Sequence, residues 1–75
     1  MTFETTQRTF DTTGARLERT LTVNPNGGYV TIEASFDGTD FVLTDTVTAK
    51  GGFVVFQGKA KLRVTPIDGA EYEYI

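Results

Sequence analysis

The residues of this chain best suited to chemistry are carboxylates. Asp37, Asp40 and Asp45 lie close together in the sequence, and loops rich in carboxylate oxygens can bind calcium. Their spacing does not match an EF-hand loop, which needs oxygen ligands at alternate positions and a closing glutamate. Asp37-Gly38 is also an ordinary turn dipeptide. We therefore expect structural turns and assign no metal and no cofactor; a calcium site is the alternative.

A second pair of carboxylates, Glu71 and Glu73, has the chemistry of a general acid and base. If the last two predicted strands form a hairpin, both glutamates face Lys61 and Arg63. Opposite charges across exposed strands contribute only about 0.2–1 kcal/mol per pair. The pattern therefore predicts a cross-strand charge ladder on an exposed face, and not a catalytic pair.

The residue types that are missing exclude most enzymes. The chain has 75 residues and contains no Cys and no His, so it lacks thiol nucleophiles, thiolate zinc sites and the commonest general base. Ser35 has no histidine to activate it. A chain of this size buries only about 60% of its unfolded surface, which leaves no room for a deep active site. We expect one β domain over 1–75 that is not an enzyme and has no catalytic residues.

The charge balance narrows the partners. Ten acidic and seven basic residues give a formal net charge of −3, the wrong sign for a protein that neutralises phosphates. The run 53–56, Phe-Val-Val-Phe, is similar to the aromatic strands of nucleic-acid-binding OB and cold-shock barrels, but no basic residues interleave it. No apolar run approaches the ~20 residues of a membrane span, and the N-terminus lacks the features of a signal peptide. We predict no nucleic acid and no membrane as partners.

The composition predicts an all-β fold to position these residues. Threonine, valine and isoleucine make up 24 of 75 residues, and β-branched side chains fit a pleated surface better than a helix. No window shows a sustained helical period. Turn signals separate seven predicted strands: 2–10, 16–23, 29–36, 41–48, 52–57, 60–66 and 70–75. We predict a small antiparallel β-sandwich, with a partly open β-barrel as the alternative, and a segment 1–14 that forms an extended arm or an edge strand.

Alternation along four of the strands predicts which side chains face the core, because a sheet with one wet face alternates apolar and polar residues. The predicted inward-facing sets are Leu17, Leu21 and Val23; Val30, Ile32, Ala34 and Phe36; Ala60, Leu62 and Val64; and Ala70, Tyr72 and Tyr74.

One stretch resembles a known family of proteins. Residues 30–43 form a strand, a Ser-x-Asp-Gly-Thr-x-Phe turn over 35–41 and a second strand; Gly51-Gly52 and an Arg63-Val64 strand follow. This arrangement resembles small β-sandwich structural proteins of tailed bacteriophage particles, which include head decoration or cement proteins and modules of tails and fibres. The resemblance spans about residues 29–75 and transfers no catalytic residues.

The resemblance implies a non-enzymatic virion protein, made in the host cytoplasm, that binds and stabilises the phage shell. The expected partner is the major capsid protein, with other virion proteins or a second copy of the chain also able to bind. The alternatives are a tail or fibre module, a small ligand- or glycan-binding β-sandwich, and a small regulator of a host protein. An exposed aromatic platform beside the Asp loops would favour glycan binding.

Two stretches carry apolar residues on both faces of a predicted strand, namely 41–43 and 53–56. A lone two-layer sandwich leaves one of those faces wet, and such segments aggregate unless they are covered. Barrel closure, the N-terminal segment or another subunit can provide the cover. We predict another subunit, helped by the N-terminal segment, and the interface candidates are Phe3, Phe10, Val42, Val54 and Phe56.

Overall fold

The computed structural model describes residues 3–13, 20–54 and 60–75, and of residues 53 and 54 the backbone alone. It is all-β, with seven strands in two antiparallel sheets that do not close into a barrel. The described residues contain no helix. The strands are β1 (Arg8–Asp11), β2 (Thr20–Asn24), β3 (Tyr29–Ser35), β4 (Val42–Val47), β5 (Gly51–Val54), β6 (Lys61–Ile67) and β7 (Glu71–Tyr74).

The two sheets confirm the predicted sandwich. One sheet has the strand order β1-β6-β3-β4, and the other has the order β5-β2-β7. Of the consecutive strands, β3 and β4 are hydrogen-bonded neighbours, whereas the other connections cross from one sheet to the other. Each predicted strand overlaps an observed one, and the predicted strand residues 2, 16–19 and 55–57 lie outside the described residues. The strand β1 begins later than predicted because the described residues before Arg8 form a single bridge instead of a strand.

The predicted alternation identifies most of the core. Val47 belongs to the core although the predicted inward-facing sets do not include it. The buried core residues in the described part of the chain are Leu21, Val23, Val30, Ile32, Ala34, Val47, Ala60, Leu62, Val64, Ala70, Tyr72 and Tyr74. The prediction that Phe36 shares the inward face is wrong, because its side chain is 64% exposed. Phe36 comes directly after the end of β3, where the chain enters the turn and the alternation of the strand no longer applies. Leu17 lies outside the described residues.

Two arches carry the chain between the sheets at the same end of the molecule. Asn26 (φ 51°) and Gly27 (φ 89°) are both left-handed, as in a type I′ turn, and the Gly28 N–H donates to the Pro25 carbonyl at 2.8 Å. The second arch, which contains Gly69, is tied to the first because Asn26 Nδ2 donates to the Gly69 carbonyl at 3.1 Å.

Gly28 lets the two arches pack against each other. A Cβ atom at Gly28 would overlap the carbonyl oxygen of Ile67 and would lie 2.7 Å from that of Asp68. Backbone atoms have no flexible end that can move aside, so only glycine fits this position without a shift of one arch.

The predicted charge ladder between the last two strands is wrong. Lys61 and Arg63 are on β6, whereas Glu71 and Glu73 are on β7, and the two strands belong to different sheets. The apolar faces of β6 and β7 both line the core, so the strands meet across it and not edge to edge. Glu71 instead accepts a hydrogen bond from Asn24 Nδ2 at 3.0 Å.

Candidate interaction surface

One side of the sandwich is closed by the N-terminal segment. The Glu4 N–H donates to the Tyr72 carbonyl at 2.6 Å, and the Tyr72 N–H donates to the Glu4 carbonyl at 3.1 Å. The N-terminal segment therefore pairs with the outer edge of β7 through one bridge at Tyr72, and the chain then pairs with β6 as β1. The unpaired N–H and C=O groups of an edge strand can pair with a strand of another chain, and the N-terminal segment opposes such pairing at β7.

Side chains complete the closed side. The Tyr72 hydroxyl donates to the Thr6 carbonyl at 2.9 Å, and the Phe10 ring lies edge-on to Tyr72, with centroids 6.4 Å apart. Phe10 also lies 4.5 Å from the Tyr74 ring. Burial, and next the Glu4 carboxylate, raise the pKa of Tyr72 to about 12. Phe10 thus packs against the core as a half-buried residue.

The opposite side of the sandwich is open at β4. Among the strands that the structure describes, β4 pairs with β3 alone. Val42 lies opposite Ala34, on the inner side of the sheet, and Leu43 lies opposite Glu33, on the outer side. Their side chains are 62% and 59% exposed. Large apolar groups therefore face water on both faces of the strand at its first two positions.

The second half of β4 carries features that oppose strand addition. The register shifts between Ile32 and Glu33, so that Asp45 lies opposite Ile32 and Thr44 is the extra residue of a β-bulge. The Thr44 hydroxyl donates to the Ile32 carbonyl at 2.9 Å. Asp45 is an exposed carboxylate at an inward register position. Bulges and inward-pointing charges are devices that keep an edge strand from pairing with another chain.

The turn between β3 and β4 is organised by one carboxylate. Asp37 Oδ1 accepts hydrogen bonds from the N–H groups of Thr39 (2.8 Å) and Asp40 (2.9 Å) and from the Ser35 hydroxyl (3.0 Å). These donors, with the Asp40 N–H first, lower the pKa of Asp37 to about 2. Ser35 is buried and also accepts from the Gly38 N–H at 2.9 Å. The predicted structural turn is confirmed.

The calcium alternative for this turn stays a prediction. Within the described part of the chain, no three His, Cys, Asp or Glu side chains are grouped as ligands for an ion. Asp37 Oδ1 is the acceptor of three hydrogen bonds from the turn itself.

Next to the turn, the outer face of the four-stranded sheet carries a cluster that the sequence pattern did not predict. Arg63 donates to both carboxylate oxygens of Glu33, at 3.0 and 2.8 Å, and its guanidinium carbon lies 4.3 Å from the centre of the Phe41 ring. The hydrogen bonds from Arg63 lower the pKa of Glu33. Alternation placed both residues on the outer face, but only the register of β3 with β6 pairs them.

We define the open-edge cluster as the exposed residues at this end of the β3–β4 hairpin, which combine apolar and acidic side chains: Phe36, Asp37, Asp40, Val42, Leu43 and Asp45. The cluster surrounds the turn and the first half of β4, and it includes Asp45 directly after the bulge. Its side chains are apolar or acidic, which suits them to contacts with apolar and cationic groups.

The interface candidates are not brought together in one place. Phe3 and Phe10 are on the closed side and half-buried, and Val42 is on the open side. Val54 pairs with Thr20 in the register of β2 and β5, and Thr20 is exposed. Phe56 lies outside the described residues. The described N-terminal residues lie by β7, at the edge of the three-stranded sheet opposite β5.

Comparison with known proteins found no match among family models, curated proteins or solved structures. Among the described residues there is no helix of the length and apolarity that a membrane crossing requires.

Proposed function

We propose that this chain is a non-enzymatic structural protein of a tailed bacteriophage particle that binds and stabilises the shell as a head decoration or cement protein. The observation that carries the proposal is the asymmetry of the sandwich: one side is closed by its own N-terminal segment, and the other presents Val42 and Leu43 to solvent. A subunit of an assembly needs a rigid scaffold and an apolar surface that becomes buried against its neighbours.

The turn supports the resemblance on which the phage assignment rests. In the Ser-x-Asp-Gly-Thr-x-Phe stretch, Ser35, Asp37 and Gly38 share one hydrogen-bonded network, and Phe41 packs on Arg63. The Ser, Asp, Gly and Phe of the pattern thus have a structural use in shaping the hairpin. The proposed partner is the major capsid protein. The alternative within the same class of function is a structural module of the phage tail or fibre.

Mass spectrometry of purified particles tests this function. We expect the chain at a stoichiometric copy number, and its absence from the particles would contradict the proposal. A chain with Val42→Asp should be incorporated at least ~10-fold less, since an uncompensated carboxylate in a buried apolar contact costs more than the ~1.4 kcal/mol that this factor represents. The matched control is Thr46→Asp, which adds the same charge at an exposed position of the same strand.

A second candidate, a glycan-binding module, is favoured by one observation. Phe36 is 64% exposed and directly precedes the Asp37 turn, so an aromatic ring stands beside acidic side chains, as in the platform that this function needs. A glycan array with the isolated domain tests it, with Phe36→Ala as the control variant. Binding that Phe36→Ala abolishes would favour this candidate over the particle protein.

A further inference from the structure

We propose that the open-edge cluster binds a segment of another protein in which apolar side chains are flanked by lysine or arginine. The inference rests on the proposed role of the chain as a protein-binding subunit, and it names the chemistry of the partner. It does not depend on whether the assembly is a phage head, a tail or another particle.

Carboxylates outnumber cations in the part of the sequence that forms this cluster. Asp37, Asp40 and Asp45 lie within nine residues of one another. The sequence contains no Lys or Arg between Arg19 and Lys50, so neither β3, the turn nor β4 contributes a cation.

The described cations nearest to the cluster are on β6. Arg63 is already engaged by the carboxylate of Glu33 through two hydrogen bonds and by the face of the Phe41 ring. Lys61 lies between Ser35 of β3 and Asp11 of β1 in the register of the sheet, so a carboxylate outside the cluster is its neighbour on β1. The exposed carboxylates of the cluster are therefore best complemented by a partner with positive charge.

The apolar part of the cluster sets the second requirement. Phe36, Val42 and Leu43 are between 59% and 64% exposed, and burial of such surface contributes roughly 25 cal/mol per Å². A second copy of the chain would add three further aspartates to a surface that already carries Asp37, Asp40 and Asp45. Like charges at an interface are unfavourable, so the observations favour a different, basic protein.

The structure also indicates how the partner docks. Strand addition along the whole of β4 is opposed by the bulge at Thr44 and by the inward register position of Asp45. The partner therefore contacts the side chains around the turn and the first half of β4, and the edge beyond Thr44 stays unpaired.

The test is a titration of the isotope-labelled full chain with three short synthetic peptides, followed by NMR. One peptide alternates lysine and valine, the second alternates glutamate and valine, and the third alternates lysine and serine. We expect the lysine–valine peptide to shift the signals of residues 36–45, and the other two to bind at least ~10-fold more weakly, a difference of about 1.4 kcal/mol. Binding should weaken with added salt as the Debye length falls from about 10 Å at 0.1 M to about 3 Å at 1 M.

Variants localise the effect. Val42→Thr with Leu43→Thr keeps residues that favour strands and should abolish the preference for valine over serine in the peptide. Asp45→Asn should weaken binding by about threefold, in the range expected for one exposed charge pair. The matched control is Asp68→Asn, which removes one carboxylate at the other end of β3 and β6 and should leave the affinity unchanged.

Several results would overturn the inference. Equal binding of the glutamate–valine peptide removes the charge requirement, and equal binding of the lysine–serine peptide removes the apolar one. NMR signal shifts outside residues 36–45 would place the peptide on another surface. Dimerisation of the free chain in sedimentation would show that a second copy, and not a basic partner, covers the open-edge cluster. If the lysine–valine peptide does not bind but the chain is present in particles, the inference is wrong and the proposed function stands, with another surface making the contact.

If the peptide binds but the chain is absent from particles, the phage function is contradicted and the inference about the open-edge cluster stands.

Discussion

The two sides of the sandwich protect their exposed sheet edges in different ways. Every open sheet has edges, and exposed edges lead to uncontrolled pairing. On the closed side, the chain covers the edge with its own N-terminal segment and ties that segment to Tyr72 through main-chain and side-chain hydrogen bonds. On the open side, β4 stays uncovered and is guarded by a bulge and by Asp45.

The contacts on each side indicate which one stabilises the fold and which one is available for binding. The closed side joins the core through Phe10, Tyr72 and Tyr74, so its contacts stabilise the fold. On the open side, the local hydrogen bonds of the Asp37 turn hold the hairpin in place. The side chains of Val42 and Leu43 are exposed and do not contribute to the core. Substitutions of the closed-side residues in the core should therefore affect folding, and substitutions of the exposed apolar residues on the open side should affect binding.

The sharpest test of this division compares one large residue from each side. Tyr72→Ala should lower the free energy of unfolding by about 3–5 kcal/mol, because it removes a fully buried aromatic ring from the core. Leu43→Ala, on the exposed face of β4, should change it by less than about 0.5 kcal/mol. Urea unfolding measures both values. Similar losses for the two variants would show that the open side is part of the folding core.

Removal of residues 1–7 turns the closed side into an open one. The truncated chain loses the two main-chain bonds between Glu4 and Tyr72 and the acceptor for the Tyr72 hydroxyl. We expect a loss of about 1–3 kcal/mol of stability, with about 0.5–1.5 kcal/mol per hydrogen bond offset by the regained freedom of the segment.

A double-mutant cycle isolates the hydroxyl in this experiment. Tyr72→Phe should cost about 1 kcal/mol in the full chain and close to nothing in the truncated chain, where water can satisfy the hydroxyl. The pKa of Tyr72 should also fall from about 12 toward its ordinary value of 10.0 when the segment is removed. Ultraviolet titration, with Tyr72→Phe as the reference, measures this. A pKa that stays near 12 would mean that the segment is not what desolvates the ring.

The smallest effect is expected from the open side and depends on pH. Asp37 has a pKa of about 2 in the folded chain, below its ordinary value of 3.8. The unfolded chain therefore binds more protons between these values, so the contribution of Asp37 to stability is present above pH ~4 and is lost as the pH falls through ~2. Asp37→Asn should lower the melting temperature at neutral pH, and the difference should shrink across that window.

The cause of this pH dependence can be checked at the turn itself. Ser35→Ala removes one of the three donors to Asp37, so the titration midpoint of the carboxyl, followed by NMR, should move upward. An unchanged midpoint would assign the low pKa to the two backbone N–H groups alone.

Several elements could be predicted because they depend on neighbours in the sequence. Alternation identified the buried residues of β3 and β6, such as Val30, Ile32 and Leu62, since the side-chain period of a strand is local. The turn at Asp37 was predicted from residue types that form the same hydrogen bonds in any protein. The content of strands and the two-layer architecture follow from the same two signals.

The pairing of the strands could not be predicted from the sequence pattern, because it depends on the tertiary structure. The sequence pattern suggested that β6 and β7 form a hairpin, but Arg63 is paired with Glu33, thirty residues away along the chain, and β7 lies in the other sheet. A short turn such as Asp68-Gly69 joins two strands equally well within one sheet or across the core. The choice depends on which arrangement buries the most apolar surface between the two sheets, and that is a property of the whole chain. For the same reason, only the assembled fold shows that Val42 and Leu43 are left outside the core while Tyr72 is sealed within it.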